Sequence, residues 1–312
     1  MILSASRRTD IPAFYPEWFM NRMREGYVLV RNPMNYNQIS KIILSPDIVD
    51  SIVFWTKDPE NMMPYLPRLD EMGYQYYFQF TLTPYQNNIE RNLRDKAEIE
   101  DTFLKLSDQI GKERMVWRYD PIILNHQLTI HYHIEQFQRL CNKLHNYVDS
   151  VIISFVDLYS KVKTDLIRTV QREEIEELCT VIVSIAKDHG LIVKACSEKI
   201  DLSSYGIEKA SCIDKNLLED LCGARLEVHK DNNQRKNCRC IESIDIGAYN
   251  TCLNGCVYCY ANYSHQAVEN NSSKHNPRGD ILIGTVNGDE KVNLRKMQSL
   301  KNYNYSFLPE DE

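Results

Sequence analysis

The 312-residue sequence has no run of 18 consecutive apolar residues, so no segment is expected to span a membrane. Its opening stretch, MILSASRRTDIPAFYP, lacks the long apolar core of a secretory signal. Basic excess is missing as well: 37 Lys and Arg stand against 43 Asp and Glu, a net charge of −6. That balance disfavours a surface built to neutralise phosphates, and leaves nucleic acid as a partner only through a local patch. Arg7, Arg8, Arg22 and Arg24 are the nearest material for one. No P-loop, no G-x-G-x-x-G and no G-x-S-x-G occurs, which removes the motif basis for phosphate cradles, dinucleotide sites and a nucleophile elbow. No repeat of solenoid length is present. With 43% hydrophobic and 26% charged residues, wholesale disorder is not expected either.

Cysteine, by contrast, is plentiful: there are ten. Without an export signal they are expected in a reducing cytoplasm, where thiols serve metals or chemistry, and the sequons at Asn262 and Asn271 carry little weight. Three fall within eight residues of TCLNGCVYCYAN (251–262), as Cys252, Cys256 and Cys259 in a C-x3-C-x2-C spacing. A disulfide framework favours even numbers and spread positions, so a metal centre suits this loop better. Three thiolates can hold three corners of a [4Fe–4S] cube and leave the fourth iron open to a ligand's amine and carboxylate. Tetrahedral zinc fits similar spacings, and three unrelated free cysteines are the bland alternative. Spacing alone leaves all three readings open.

Cys196, Cys212, Cys238 and Cys240 form a candidate second set. The first two sit at strand ends, and the other two lie in KDNNQRKNCRC, which is too polar to be core. Four thiolates would make an auxiliary iron–sulfur cluster or structural zinc. Cys141, Cys179 and Cys222 lie inside helical patterns and read as small buried residues. His131 and His133, at i and i+2, face apart on a helix and are expected to cap or solvate a helix starting at 134. The pair Glu173–Glu174 reads as a solvated helix face.

Short β-rich runs alternate with helical patterns: MILSAS (1–6), SIVFWT (51–56), YYFQFT (76–81), RMVWRYD (114–120), SVIISFV (150–156), LIVKAC (191–196), KASCI (209–213) and SIDIGAY (243–249). Between them, spacings such as Ile99, Phe103, Leu106, Ile110 predict helices, and Gly111, Gly190 and Gly223 fall where helices should end. The alternation predicts an α/β fold, a (β/α) barrel with parallel strands. Residues 1–242 would form the barrel body. Residues 243–263 would supply its last strand and the cysteine loop, and 264–312 a polar, partly mobile loop and tail. Nearly every strand ends in polar residues: Arg7 to Asp10, Thr56 to Asp58, Thr81 and Thr83, Arg118 and Asp120, Ser154 and Asp157, Cys196 to Glu198, Cys212 and Asp214, Tyr249 and Asn250. Strand C-termini are where such folds place chemistry. Lys57 and Arg118 lie in or against apolar runs, where an unpaired charge is costly, so partners or an anionic ligand are expected.

C-x3-C-x2-C with Tyr258 before its third cysteine resembles the cluster motif of the radical S-adenosylmethionine superfamily, and IGAYNTCLNGCVYCYAN resembles its spore photoproduct lyase branch. FWTKDPENMMPYLPRLDEMG and FTLTPYQNNIE are similar to strand ends of that branch. From SASRRTDIPAFYPEWF through FWTK, WRYDPI and NCRC to CVYCYAN, the chain resembles the uncharacterised family domain of unknown function 1848. One departure is plain: the cluster loop follows the last strand, not the first, which a circular permutation would explain. The resemblance implies an enzyme in which Cys252, Cys256 and Cys259 ligate a [4Fe–4S] cluster and S-adenosylmethionine binds the open iron. An electron from a donor such as flavodoxin or ferredoxin would cleave the sulfonium, and the resulting radical would act on an unknown substrate. Under it, Thr9 and Asp10 are candidates near the methionine amine, and Lys57, Thr81 and Arg118 near a cofactor or substrate carboxylate. The rivals are a non-catalytic iron–sulfur or zinc protein that senses redox state or binds a partner and, among enzymes, a nucleic-acid repair lyase.

Overall fold

Runs dominated by Ile, Val, Phe and Tyr become strands here, and the amphipathic runs between them become helices. The computed structural model describes residues 1–157, 164, 166–196, 198, 200–235 and 237–302. Ser197, expected at a strand end, and the last ten residues of the expected tail lie outside the described residues. In chain order the elements are β1 (Ile2–Ala5), α1 (Ile11–Phe14), α2 (Pro16–Glu25), β2 (Tyr27–Arg31), β3 (Gln38–Ile43), β4 (Ser51–Thr56), α3 (Leu66–Glu71) and β5 (Tyr76–Thr81). Then come α4 (Lys96–Ile110), β6 (Met115–Ile122), α5 (Ile130–Leu144), β7 (Ser150–Phe155), α6 (Arg172–Asp188), β8 (Ile192–Ala195) and β9 (Glu208–Lys209). The rest are α7 (Lys215–Cys222), β10 (Arg225–Leu226), β11 (Ile244–Asp245), α8 (His265–Ser272), β12 (Lys291–Leu294) and β13 (Lys301–Asn302).

Eight of the strands make one sheet in the order β11-β1-β4-β5-β6-β7-β8-β9, every neighbouring pair parallel. Registers such as Ala5 opposite Phe54, Thr81 opposite Arg118 and Ile153 opposite Ala195 bring the C-terminal strand ends to a common edge. Six of the eight expected strands are present in a mixed α/β fold with a parallel sheet; of the other two, β9 overlaps the expected 209–213 only at Lys209, and β11 keeps just Ile244 and Asp245 of 243–249. β11 and β9 stand at the ends of the order, and no ladder joins them among the described residues.

The two faces of the sheet carry different partners because strand side chains alternate. Leu3, Phe54, Phe78, Trp117 and Val151 belong to the cluster that packs on α1 to α6. Ile2, Val53, Tyr77, Val116 and Ile152 point the other way, against Ala210, Ile213, Leu218, Leu226 and Ile241. Parallel strands covered on both faces read as continuous apolar runs, as these do. Trp117 stacks on Phe137 of α5 at 5.3 Å between centroids, and fully burying such a side chain contributes roughly 1.5–3 kcal/mol. The helices start on side-chain caps: Asp95 accepts from Ala97 N at 2.8 Å, Thr129 from Tyr132 N, and Asp214 from Asn216 N.

Two expectations fail, and one small sheet was not foreseen. Residues 264–280 are not a loose loop. They contain α8, and Trp18 Nε1 donates to Gly279 O at 2.9 Å, Asn21 to Pro277 O at 2.7 Å and Arg22 to Asp280 at 2.9 Å. The polar sequence hides a segment docked on α2. The helix expected from 134 starts at Ile130, and His133 is fully buried rather than solvated. Its Nε2 lies 2.8 Å from Ile123 O and its Nδ1 2.8 Å from the Tyr119 hydroxyl. A carbonyl only accepts, so Nε2 carries the proton. Finally, β2 and β3 form an antiparallel hairpin extended by β12, a small sheet that the sequence reading left out.

Candidate active site

Polar strand ends of a parallel sheet converge on one edge, and here they enclose a cavity of about 470 Å³. All twelve residues singled out from sequence line it: Thr9, Asp10, Lys57, Thr81 and Arg118, Cys252, Cys256 and Cys259, and Cys196, Cys212, Cys238 and Cys240.

The loop bearing Cys252, Cys256 and Cys259 follows β11, whose pairing with β1 sets where it starts. It is tied down by backbone: Asn92 N donates to Asn254 O at 3.1 Å, Val257 N to Ile89 O at 2.9 Å and Asn250 N to Ala261 O at 2.9 Å. Asn262 closes it by donating to Cys252 O at 2.7 Å. Gly255 sits at φ 68°, where a residue with a Cβ would be strained and would press on Asn92 Nδ2 at 2.9 Å, so glycine suits the position between Asn254 and Cys256. Gly247 permits the close passage after β11; a Cβ would fall 2.0 Å from Ser6 Oγ. Asp245 braces the same corner, accepting from Ser4, Ser6, Arg7 N and Arg8.

Asp10 links three elements. Its Oδ1 caps α1 through Ala13 N, while Oδ2 accepts from Lys57 N at 2.8 Å and Asn254 Nδ2 at 3.0 Å. Burial pushes its carboxyl up to about 6. Thr9 Oγ1, Asn254 Oδ1 and Arg7 Nη2 are buried and have no hydrogen-bond partner among the described residues, and all three residues line the cavity. Orphaned buried polar atoms cost free energy, so a lining with an acceptor, a hydroxyl and a guanidinium N–H suits a zwitterionic ligand.

Lys57 and Arg118 line the cavity, but their charges are already matched. Lys57 Nζ bonds Glu90 Oε1 at 2.7 Å, and Glu90 also binds Lys96, Thr83 and the Tyr258 hydroxyl. Burial would raise the Glu90 carboxyl, yet Lys57 and Lys96 override it and hold it at about 2. Arg118 pairs with Asp120 and donates to Gln79 Oε1 and Cys212 Sγ, each at 3.1 Å. Of the four arginines that were the nearest material for a basic patch, three meet carboxylates: Arg8 meets Asp245, Arg22 meets Asp280, and Arg7 lies 3.7 Å from Asp231 and over Trp55, while Arg24 donates to Asn21. Thr81 contributes a half-buried strand end. Sequence reasoning missed Glu90 as a hub and Asn254 as an orphaned acceptor. A lone Glu in an apolar, Asn-rich loop was the available signal for the first.

Burial pushes the Cys252 and Cys259 thiols up and that of Cys256 to about 12. Metal binding requires thiolate, so these thiols would lose their protons as a metal arrives. Among the described residues no three His, Cys, Asp or Glu side chains already stand in a geometry that holds a metal ion. Cys141 and Cys179 are fully buried in helices, as expected, and Cys222 donates to Asp50 O at 3.2 Å. Among the described residues no helix is long and apolar enough to cross a membrane.

The profile of the family described as Domain of unknown function (DUF1848) matches residues 2–261. No curated protein matches the chain. Among solved structures it is similar to a crystal structure of a protein provisionally called an alpha-L-fucosidase, from Bacteroides thetaiotaomicron, at 11% identity and a TM-score of 0.24. That match covers 49% of this chain and 66% of the other, just under two thirds, and so weak a likeness carries no argument.

Proposed function

The chain belongs to the DUF1848 family, and from that premise we propose that it is a radical S-adenosylmethionine-type enzyme on a circularly permuted (β/α) barrel. One observation carries the reading: Cys252, Cys256 and Cys259 line the same strand-end cavity as Thr9, Asn254 and Arg7, each of which holds a buried polar atom with no hydrogen-bond partner among the described residues. The parallel pairing of β11 beside β1 supports the permuted order.

The donor set fits the cofactors. Cys252, Cys256 and Cys259 would hold a [4Fe–4S] cluster, leaving one iron for S-adenosylmethionine. When bound, that pair supplies one-electron cleavage of the sulfonium and the radical that follows. The chain's own residues do the rest. Asn254 Oδ1 and Thr9 Oγ1 would receive the methionine ammonium, with the Asp10 carboxylate, hydrogen-bonded to Asn254, beside them, and Arg7 would donate to the methionine carboxylate. The Lys57–Glu90–Lys96 group fixes the loop through Tyr258 and keeps its charges off the ligand. Tyr260, whose hydroxyl donates to Arg7 O at 2.5 Å, narrows the mouth against water. A flavodoxin- or ferredoxin-type donor supplies the electron in a cytoplasmic setting.

The test is anaerobic reconstitution with iron and sulfide, then S-adenosylmethionine and dithionite, with chromatography for 5′-deoxyadenosine. The intact chain is expected to make it and Cys256→Ala to lose it. A brown protein that leaves S-adenosylmethionine intact, or a colourless zinc protein, refutes the reading and favours a sensing or binding role.

A further inference from the structure

Four thiols outside the C-x3-C-x2-C loop meet on another wall of the cavity. Cys196 follows β8, Cys212 follows β9, and Cys238 and Cys240 lie between β10 and β11. Cys196 Sγ is 3.1 Å from Cys212 Sγ. Cys240 Sγ interacts with Cys212 and accepts from Ile213 N at 3.4 Å, while Cys240 N donates to Cys238 Sγ at 3.5 Å. Cys212, Cys238 and Cys240 are 9%, 6% and 2% exposed, and all four sulfur-bearing residues line the cavity. A buried free cysteine usually packs as a small apolar side chain, as Cys141 and Cys179 do. These four instead contact one another, and the buried Arg118 guanidinium donates to one of them.

We infer that Cys196, Cys212, Cys238 and Cys240 form a four-thiolate site for a thiophilic metal centre, a zinc ion or an iron–sulfur cluster, separate from the Cys252 loop. Four sulfur donors select these metals over harder ones. The sulfurs stand at hydrogen-bonding rather than ligating distances. Two thiolates on one tetrahedral metal, each about 2.3 Å from it, lie roughly 3.8 Å apart. The 3.1 Å pair therefore has to open by less than about 1 Å as metal replaces the thiol proton. Loading sends the protons to solvent and leaves a net negative centre. Arg118, paired with Asp120 and hydrogen-bonded to Cys212, orients that ligand. The sequence gives these thiols no spacing signature, because they come from three separate connections. The fold brings them together.

This site stands or falls separately from the Cys252 loop, and its test removes that loop's thiols. The full chain carrying Cys252→Ala, Cys256→Ala and Cys259→Ala is prepared reduced and anaerobic. It is offered zinc alone, cobalt alone, or iron with sulfide, then desalted and analysed for metal. Retention of zinc, with tetrahedral thiolate bands for cobalt, establishes a zinc-type site; uptake of iron and sulfide establishes a cluster. Adding Cys212→Ser or Cys238→Ser should lower retention about tenfold or more, and Cys222→Ser should leave it unchanged. Retention unaffected by Cys212→Ser overturns the inference. So does failure to retain any of the three metals in a chain whose circular dichroism matches the parent. In the otherwise unaltered chain, Cys212→Ser must also remove one centre from the total metal count. If the parent makes no 5′-deoxyadenosine yet these metal counts hold, the radical reading fails and this one stands.

Discussion

His133 makes acid sensitivity predictable. It is fully buried, its Nε2–H donates to Ile123 O, and the rings of Tyr85, Tyr119 and Tyr132 surround it. No carboxylate is among its contacts, so burial dominates and lowers it from 6.5 to about 4. In the unfolded chain it protonates near 6.5, and in the native chain only near 4. The unfolded state therefore binds the extra proton between those values, and native stability falls as pH falls through that window. At about 1.4 kcal/mol per pH unit the loss totals roughly 3 kcal/mol. Asp10 acts in the opposite sense, because its native carboxyl protonates near 6, above its unfolded value. The informative quantity is therefore the difference between the parent and His133→Gln, whose amide can still donate to Ile123 O and accept from Tyr119. Urea unfolding from pH 7.5 to pH 4 should show the parent's advantage shrinking by about 3 kcal/mol. A difference that is flat to within about 1 kcal/mol, or one that moves only below pH 4, refutes the assignment of a neutral buried imidazole.

Other outcomes can be checked alongside it. Glu90→Gln leaves Lys57 and Lys96 buried without their countercharge and should cost about 3–5 kcal/mol at pH 7 in urea unfolding; a cost below about 1 kcal/mol would show that the group is solvated. Arg118→Met should destabilise by a similar amount, through Asp120 left unpaired, and adding Asp120→Leu should recover much of the loss. Trp18→Phe removes the bond to Gly279 O and should cost about 1 kcal/mol, with earlier proteolytic cutting in 264–280 as the companion reading. Cys256→Ala should abolish 5′-deoxyadenosine formation while sparing metal held by Cys238 and Cys240; loss of both together would show a single shared centre.

Much of the sheet was legible because buried parallel strands announce themselves as apolar runs. Ser51–Thr56 and Tyr76–Thr81 have the boundaries expected of them. The hairpin β2–β3 escaped because it lies outside the main sheet and alternates only weakly between buried and half-buried residues. The segment 264–280 was misread because its order comes from Trp18, Asn21 and Arg22, more than 250 residues away. At the site, cysteine type and strand-end position were enough to name the lining residues. The identity of the partners was not legible: Lys57 and Arg118 were expected to have partners or an anionic ligand, and Glu90 and Asp120 prove to be those partners, Glu90 from a loop with no periodic signal.

The pairing of Leu3 with Ile244 has a consequence for biogenesis. A nascent chain presents the free edge of its first strand long before the partner strand emerges from the ribosome, so cavity closure comes late in synthesis. Until Ile244 pairs with Leu3, that exposed edge is a place where quality-control factors can grip the protein.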